Sequence, residues 1–170
     1  GCDDPNFVRF EGTVDHGVNA LYTWDVAGNL TGVAVGVPCP AQVMELHSFI
    51  SADFWGHARA HIREKLGNVF VLPLCEASGD QNPLDLVRIS KSNREELAKW
   101  NAQAGEVWLN LDLDRECDRI GRRIASAVEI ALPAARAAIE YLPAFKFLRS
   151  EVELPIRTVV VDGVDIMYDA

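Results

Sequence analysis

Positive charge is scarce in this sequence. Its 170 residues hold 16 Lys and Arg against 25 Asp and Glu, a formal net charge of −9. Such a surface repels a phosphate backbone, and no basic run offsets it, which excludes nucleic acid as a partner. Long apolar runs are missing as well. None approaches the roughly 20 residues of a membrane-spanning helix, so no transmembrane segment is expected. Internal repeats and low-complexity linkers are absent. Gly1-Cys-Asp-Asp-Pro5 carries no signal-peptide pattern, and the compartment stays open. Cysteine is limited to Cys2, Cys39, Cys75 and Cys117. Their spacing fits no zinc finger, and a core of this size needs no disulfide, so four reduced thiols are expected.

What is present is a globular chain, 49% hydrophobic and 24% charged, read as a single domain or an excised part of one. Val18 to Asp25 reads as a strand, and Val26-Ala-Gly-Asn29 as a turn in which Gly28 and Asn29 tolerate positive φ. Leu30 to Val37 returns as a second strand with Val33, Val35 and Val37 on one face. Glycine and alanine fill the other face, a pattern that expects close packing there. Pro38-Cys39-Pro40 ends the strand. Ser51 is the expected N-cap of a helix over Ala52 to Leu66, with Phe54, Ala58, Ile62 and Leu66 as its apolar stripe. Val69 to Leu74 is a short apolar run typical of a buried parallel strand.

Strand, helix and strand make a right-handed βαβ unit. Further helices are expected from Ser92 or Asn93 through Trp100, and from Asp112 or Asp114 to about Pro133, with Ala134 to Tyr141 able to resume the second. Glu151 to Asp162 reads as β-like, with Pro155 at an edge or bulge. The expected fold class is therefore α/β. A mixed sheet combines a parallel βαβ unit with an antiparallel hairpin, and helices pack on the sheet.

In a βαβ unit both strands point the same way, so Cys39 and the loop after Cys75 leave one sheet edge. Their Cα atoms are expected within roughly 12 Å. That carboxyl edge is where open α/β sheets bind ligands. The loop holds Ser78-Gly-Asp-Gln-Asn-Pro83. As a site loop, Gly79 lets backbone approach a ligand, Ser78 and Gln81 bind substrate, and Asp80 is an acid/base or metal-facing carboxylate held by backbone N–H groups. The same composition also suits a plain turn. Cys39, stiffened by two prolines, is a candidate metal ligand or nucleophile, or an inert buried thiol. His57 and His61 lie one turn apart but lack the glutamate of a zincin motif, and they read as a solvated face. His16 and His47 are lone loop histidines.

The order hairpin, Pro/Cys segment, I-S-A-D-F-W-G, apolar strand and A-S-G-D-Q-N-P resembles the neutral/alkaline ceramidase-like superfamily. The likeness is to the core of its amino-terminal domain and is strongest over residues 15–90. In that family a strand ends in a zinc-binding histidine, a segment like I-S-S-D-N-x-G opens a helix, and the next strand runs into G-D-V-S-P. The resemblance implies a zinc-dependent hydrolase that cleaves the amide of N-acyl lipids or a related small-molecule substrate. It puts the metal-ligand position on Cys39 and the active-site serine position on Asn82. Asn82 can donate to an oxyanion but cannot attack. Together with Asp80 it forms the catalytic pair the resemblance implies.

The family's H-T-H-like motif, glutamate and tyrosine ligands have no counterpart in this sequence. The resemblance therefore implies a fragment whose remaining ligands, and any zinc, belong to the rest of a parent chain. A site improvised from Cys39, Cys75, Glu76 and His47 is the alternative metal centre, and the isolated chain is expected to bind zinc weakly or not at all. The competing readings are a non-catalytic binding or structural domain on the same fold, and a cysteine enzyme using Cys39 with Asp80 as orienter.

Overall fold

The computed structural model describes residues 8–9, 12–45, 47–85, 112–154, 158–161 and 164–167. The chain forms two compact units, Gly1–Ile139 and Glu140–Ala170. In the first, β1 (Asn19–Trp24) and β2 (Leu30–Val37) make an antiparallel hairpin, and β2 pairs in parallel with β3 (Phe70–Cys75). The crossover is α1 (Phe54–Leu66), and a 25-residue helix, α2 (Leu113–Ala137), follows. This is the expected α/β architecture of mixed sheet, βαβ unit, hairpin and packed helices. In the second unit β4 (Thr158–Val161) pairs antiparallel with β5 (Val164–Met167). No described helix is long and apolar enough to cross a membrane.

The hairpin turn rests on Asp25. One carboxylate oxygen accepts the N–H groups of Ala27 and Asn29 at 2.9 and 2.8 Å, and the other accepts the Asn29 amide at 2.9 Å. The bonds from Asn29 lead in holding this carboxyl below its usual range. Gly28 alone in the turn takes a left-handed φ, of 83°. Strand alternation then sends Tyr22, Val33, Val35, Val37 and Val71 to one face. There they meet Phe54, Ala58 and Ile62 of α1 and Cys117, Ile124, Ala125 and Val128 of α2.

The other face is different. Leu21 is 69% exposed and Phe70 65%, and Leu72 and Leu74 are also exposed. They flank the row Gly32, Ala34 and Gly36. The close packing expected over that row comes from within the sheet. The Glu76 carboxylate lies over Gly36, held by the Asn19 amide at 2.9 and 3.0 Å, and Phe70 crowds Gly32.

Both helices lie on the valine face and touch closely. A Cβ on Gly121 would sit 2.7 Å from the Ala58 nitrogen and 2.8 Å from the His57 Cβ. Around this contact run polar pairs. His57 Nε2 lies 3.0 Å from Asp114 Oδ1, His61 Nε2 2.7 Å from Asp118 Oδ1, and Lys65 donates to Glu129 at 2.5 Å. Tyr22 donates its hydroxyl to the Val128 carbonyl, tying β1 to α2. The solvated-face expectation for His57 and His61 is thereby corrected, since the His61 side chain is only 14% exposed. A histidine face opposite aspartates is a helix interface that apolar periodicity does not register.

Three boundaries also differ from expectation. The N-cap of α1 is Asp53, not Ser51. α2 does not break at Pro133 but runs into the Ala134–Tyr141 stretch as far as Ala137, because the Ala-rich turn beyond has strong enough helix propensity to outlast one missing N–H. Glu151–Leu154 is not strand, and among the described residues of that segment β structure lies at Thr158–Val161. The helix expected from Ser92 or Asn93 to Trp100, and Pro155, lie outside the described residues.

Two outcomes follow. Gly→Ala in a helix ordinarily stabilises by about 1 kcal/mol. At Gly121 the clash with backbone outweighs this, and Gly121→Ala should lose about 2 kcal/mol in urea denaturation. Arg122 and then His61 hold the Asp118 carboxyl down to about 2. A carboxyl lowered on folding stabilises above its unfolded pKa of about 3.9, and that stabilisation is lost as the pH falls below it. Between about pH 4 and pH 2 the wild-type urea midpoint should therefore fall more steeply than that of Asp118→Asn.

Candidate functional site

The two strand exits at the carboxyl edge are held together by one atom. The Val37 carbonyl accepts the Cys39 N–H at 2.8 Å and the Glu76 N–H at 3.0 Å. Pro38 has no N–H to continue the ladder, so the chain turns back at once. Beside these exits lies a cleft of about 790 Å³. Its apolar lining comes from Val18, Val37, Phe54, Leu84, Ile120 and Ile124. Its polar lining comes from Asp15, His16, Cys39, Asp80, Gln81, Asn82, Asp85 and Arg123. A largely apolar wall with a few polar groups is the usual make-up of a small-molecule site.

Of the residues singled out in the sequence, Cys39, Asp80, Gln81 and Asn82 line this cleft. Cys39 and Asp80 thus share the sheet edge that the βαβ reading required. Asn82 accepts the Leu84 N–H at 2.9 Å through Oδ1. Because an N–H must meet an acceptor, this bond fixes which way the amide is turned and leaves the Nδ2 donors without a partner among the described residues. A Cβ on Gly12 would lie 4.0 Å from Asp80 Oδ2, and among the described residues no backbone N–H donates to the Asp80 carboxylate. Ser78 and Gly79 stand outside the lining. The Ser78 hydroxyl lies 3.0 Å from the Cys75 sulfur, its carbonyl accepts the Gln81 N–H, and a Cβ on Gly79 would meet nothing within 4 Å.

Asp15, His16, Asp85 and Arg123 had no role in the sequence reading. Asp15-His16-Gly17 did carry a local signal, since Asp15 accepts the Gly17 N–H at 2.7 Å in an Asx turn that shapes the rim. Arg123 carried none. Its place on the cleft follows from how α2 docks.

The I-S-A-D segment proves to be a folding device. Asp53 takes a φ of 53° and is buried. Its Oδ1 accepts the Phe54 N–H at 2.8 Å and caps α1, while Oδ2 accepts the Met44 N–H at 2.7 Å. Ser51 Oγ accepts the Asp53 N–H at 2.9 Å, one step before the cap.

The zinc that the resemblance implies does not fit these residues by themselves. Burial, with negative charge at Cys75 and Asp53, pushes the Cys39 thiol up to about 11, so it keeps its proton at neutral pH. Among the described residues no group of three or more His, Cys, Asp or Glu side chains is arranged to hold a metal ion. The improvised set is dispersed as well, since Glu76 is engaged by Asn19 and the His47 ring stacks on Phe49.

No protein-family model, curated protein or solved structure matches the chain.

The capping geometry makes a prediction. Asp53→Ala removes a cap and a buried tether together, and should cost about 2–3 kcal/mol in urea denaturation. Asp53→Asn tolerates the left-handed φ and keeps one acceptor, so it should cost less than half as much.

Proposed function

We infer that this chain is part of a hydrolase domain of the ceramidase-like kind, whose cleft receives a small-molecule or lipid-like acyl substrate. The observation that carries the reading is that Cys39, Asp80, Gln81 and Asn82, drawn from two strand exits, line one cleft with a mainly apolar wall. In such enzymes a metal polarises the carbonyl and activates water. The remainder of the parent chain would have to hold it.

The residues present here bind and orient. Val18, Val37, Ile120 and Ile124 offer an apolar surface to an acyl chain. The Nδ2 donors of Asn82 suit the substrate's carbonyl oxygen, and stabilise it as negative charge develops there. Asp80, without a described hydrogen-bond partner, is available to accept from an amide N–H or a water. His16 adds an imidazole to the cleft lining, a group that can both donate and accept a hydrogen bond.

The alternative is a non-catalytic binding domain, and Asn82 favours it, because the position where the family has its active-site serine holds no nucleophile. The two readings separate through Asn82→Asp in the full-length protein. This substitution keeps an acceptor for Leu84 N–H and deletes the amide donors. Hydrolysis of N-acyl amide substrates should fall by about 10²-fold with the melting temperature unchanged. Wild-type protein that binds these compounds in the cleft without turnover would establish the binding domain instead.

A further inference from the structure

Cys39 and Cys75 meet at the strand exits; the reading above gives Cys39 a place in the cleft wall but no chemistry, and gives Cys75 no part. Val37 and Cys75 are register partners in the parallel pair. The turn at Pro38 brings Cys39 back beside them, through its N–H on the Val37 carbonyl. The Cys75 sulfur lies 3.7 Å from the Cys39 carbonyl oxygen. Covalent geometry puts that oxygen within about 2.8 Å of its own Cα, so the sulfur is within about 6.5 Å of the Cys39 Cα. Disulfides join cysteines whose Cα atoms lie about 4.4–6.8 Å apart, and this contact makes the two residues immediate neighbours. Both are free thiols here, and Cys75 is exposed, with the Ser78 hydroxyl 3.0 Å from its sulfur. Cys117, by contrast, is buried in the core between the helices and is out of play.

We propose that Cys39 and Cys75 are a thiol pair that hydrogen peroxide or an organic peroxide closes into a disulfide across the exits of β2 and β3. Cys75 is the entry point because it is exposed. Its thiolate attacks a peroxide oxygen, the O–O bond breaks, and water or an alcohol leaves, giving Cys75 sulfenic acid. The Cys39 sulfur then attacks the Cys75 sulfur. The S–O bond breaks, and water departs carrying the Cys39 proton. Two thiols and one peroxide thus become one disulfide and two molecules of water, or one of water and one of alcohol. Cys39 is half-buried, so peroxide meets the exposed Cys75 first and Cys39 takes the second, resolving role. The bridge would pin the Pro38–Pro40 turn to the end of β3. Because Cys39 lines the cleft, it would fix that wall in place. The inference stands on thiol geometry and holds whichever function the cleft serves.

The test is peroxide titration of the reduced chain, followed by alkylation and mass mapping of peptides without reductant. The expected result is one intramolecular Cys39–Cys75 linked pair. The melting temperature should rise by about 5 °C or more, as for closure of a loop of this length, and return with dithiothreitol. Cys2→Ser should leave this unchanged and Cys75→Ser should abolish it. Cys75 lies on an exposed strand end, so its serine variant is a safe control even if Cys39→Ser fails to fold. Cys75 recovered as sulfinic acid with Cys39 still alkylated, or Cys75 linked to Cys2 or to a second chain, would overturn the proposal.

Discussion

A single buried carboxylate organises the active end of this fold. Asp53 holds the first N–H of α1 with one oxygen and the Met44 N–H with the other. Met44 belongs to the segment that leaves the Pro38–Pro40 turn, so the carboxylate couples the exit of β2 to the start of the crossover helix. Phe54, the next residue, is fully buried and also lines the cleft. An acceptor-only group buried among N–H donors is stable because each oxygen replaces the water it lost. The left-handed φ is part of the same device, since it turns the chain sharply enough for one side chain to reach both donors. Aspartate is among the few non-glycine residues that adopt this conformation routinely. The βαβ unit, the Cys39 turn and one wall of the cleft all follow from this placement.

The second constraint is the contact between helices. Gly121 lets α2 lie against Ala58, and the flanking pairs His57–Asp114, His61–Asp118 and Lys65–Glu129 set its register along α1. Exposed ion pairs contribute little to stability, so the buried stripe from Cys117 to Val128 carries the adhesion. The polar pairs select one alignment among several that apolar packing alone would accept. That alignment matters at the other edge of α2, where Ile120, Arg123 and Ile124 reach the cleft. The site is therefore built from five separate stretches, and the βαβ unit accounts for three of them: the exit of β2, Phe54 and the loop after β3.

This division accounts for what the sequence revealed. The hairpin, the crossover helix and the parallel strand were legible because each carries its own periodicity and punctuation, and the shared edge of Cys39 and Asp80 follows from chain direction alone. Asn82, Gln81 and Asp80 were legible for the same reason. The histidine face of α1 was not, since its partners lie about sixty residues on and are recognised by charge complementarity rather than by an apolar pattern. Arg123 was not legible either, because no local rule tells which side of an amphipathic helix's polar arc will border a cleft. The N-cap was misplaced by two residues because Ser51 satisfies the local rule. Only the tertiary demand of Met44 shows why the aspartate wins.

The role of Asp53 also bears on how much the ceramidase-like resemblance means. I-S-A-D and G-D-Q-N-P carry it together, yet they differ in kind. The first is accounted for by capping and tethering, which any chain of this βαβ geometry would use whatever its chemistry. It therefore speaks to architecture. The weight for function falls on the second segment and on Cys39, and at both the sequence differs from the family's pattern within the matched stretch. At one, a donor amide stands where a nucleophile is expected. At the other, a protonated thiol stands where a neutral imidazole would be ready to bind a metal ion. Both changes leave the cleft and its apolar wall intact while reducing what its residues can do without help from elsewhere in the protein. Binding is thus the more robust part of the functional reading. Turnover is the part that depends on whether donors such as Asn82 Nδ2 are matched by an activated nucleophile brought to the same cleft.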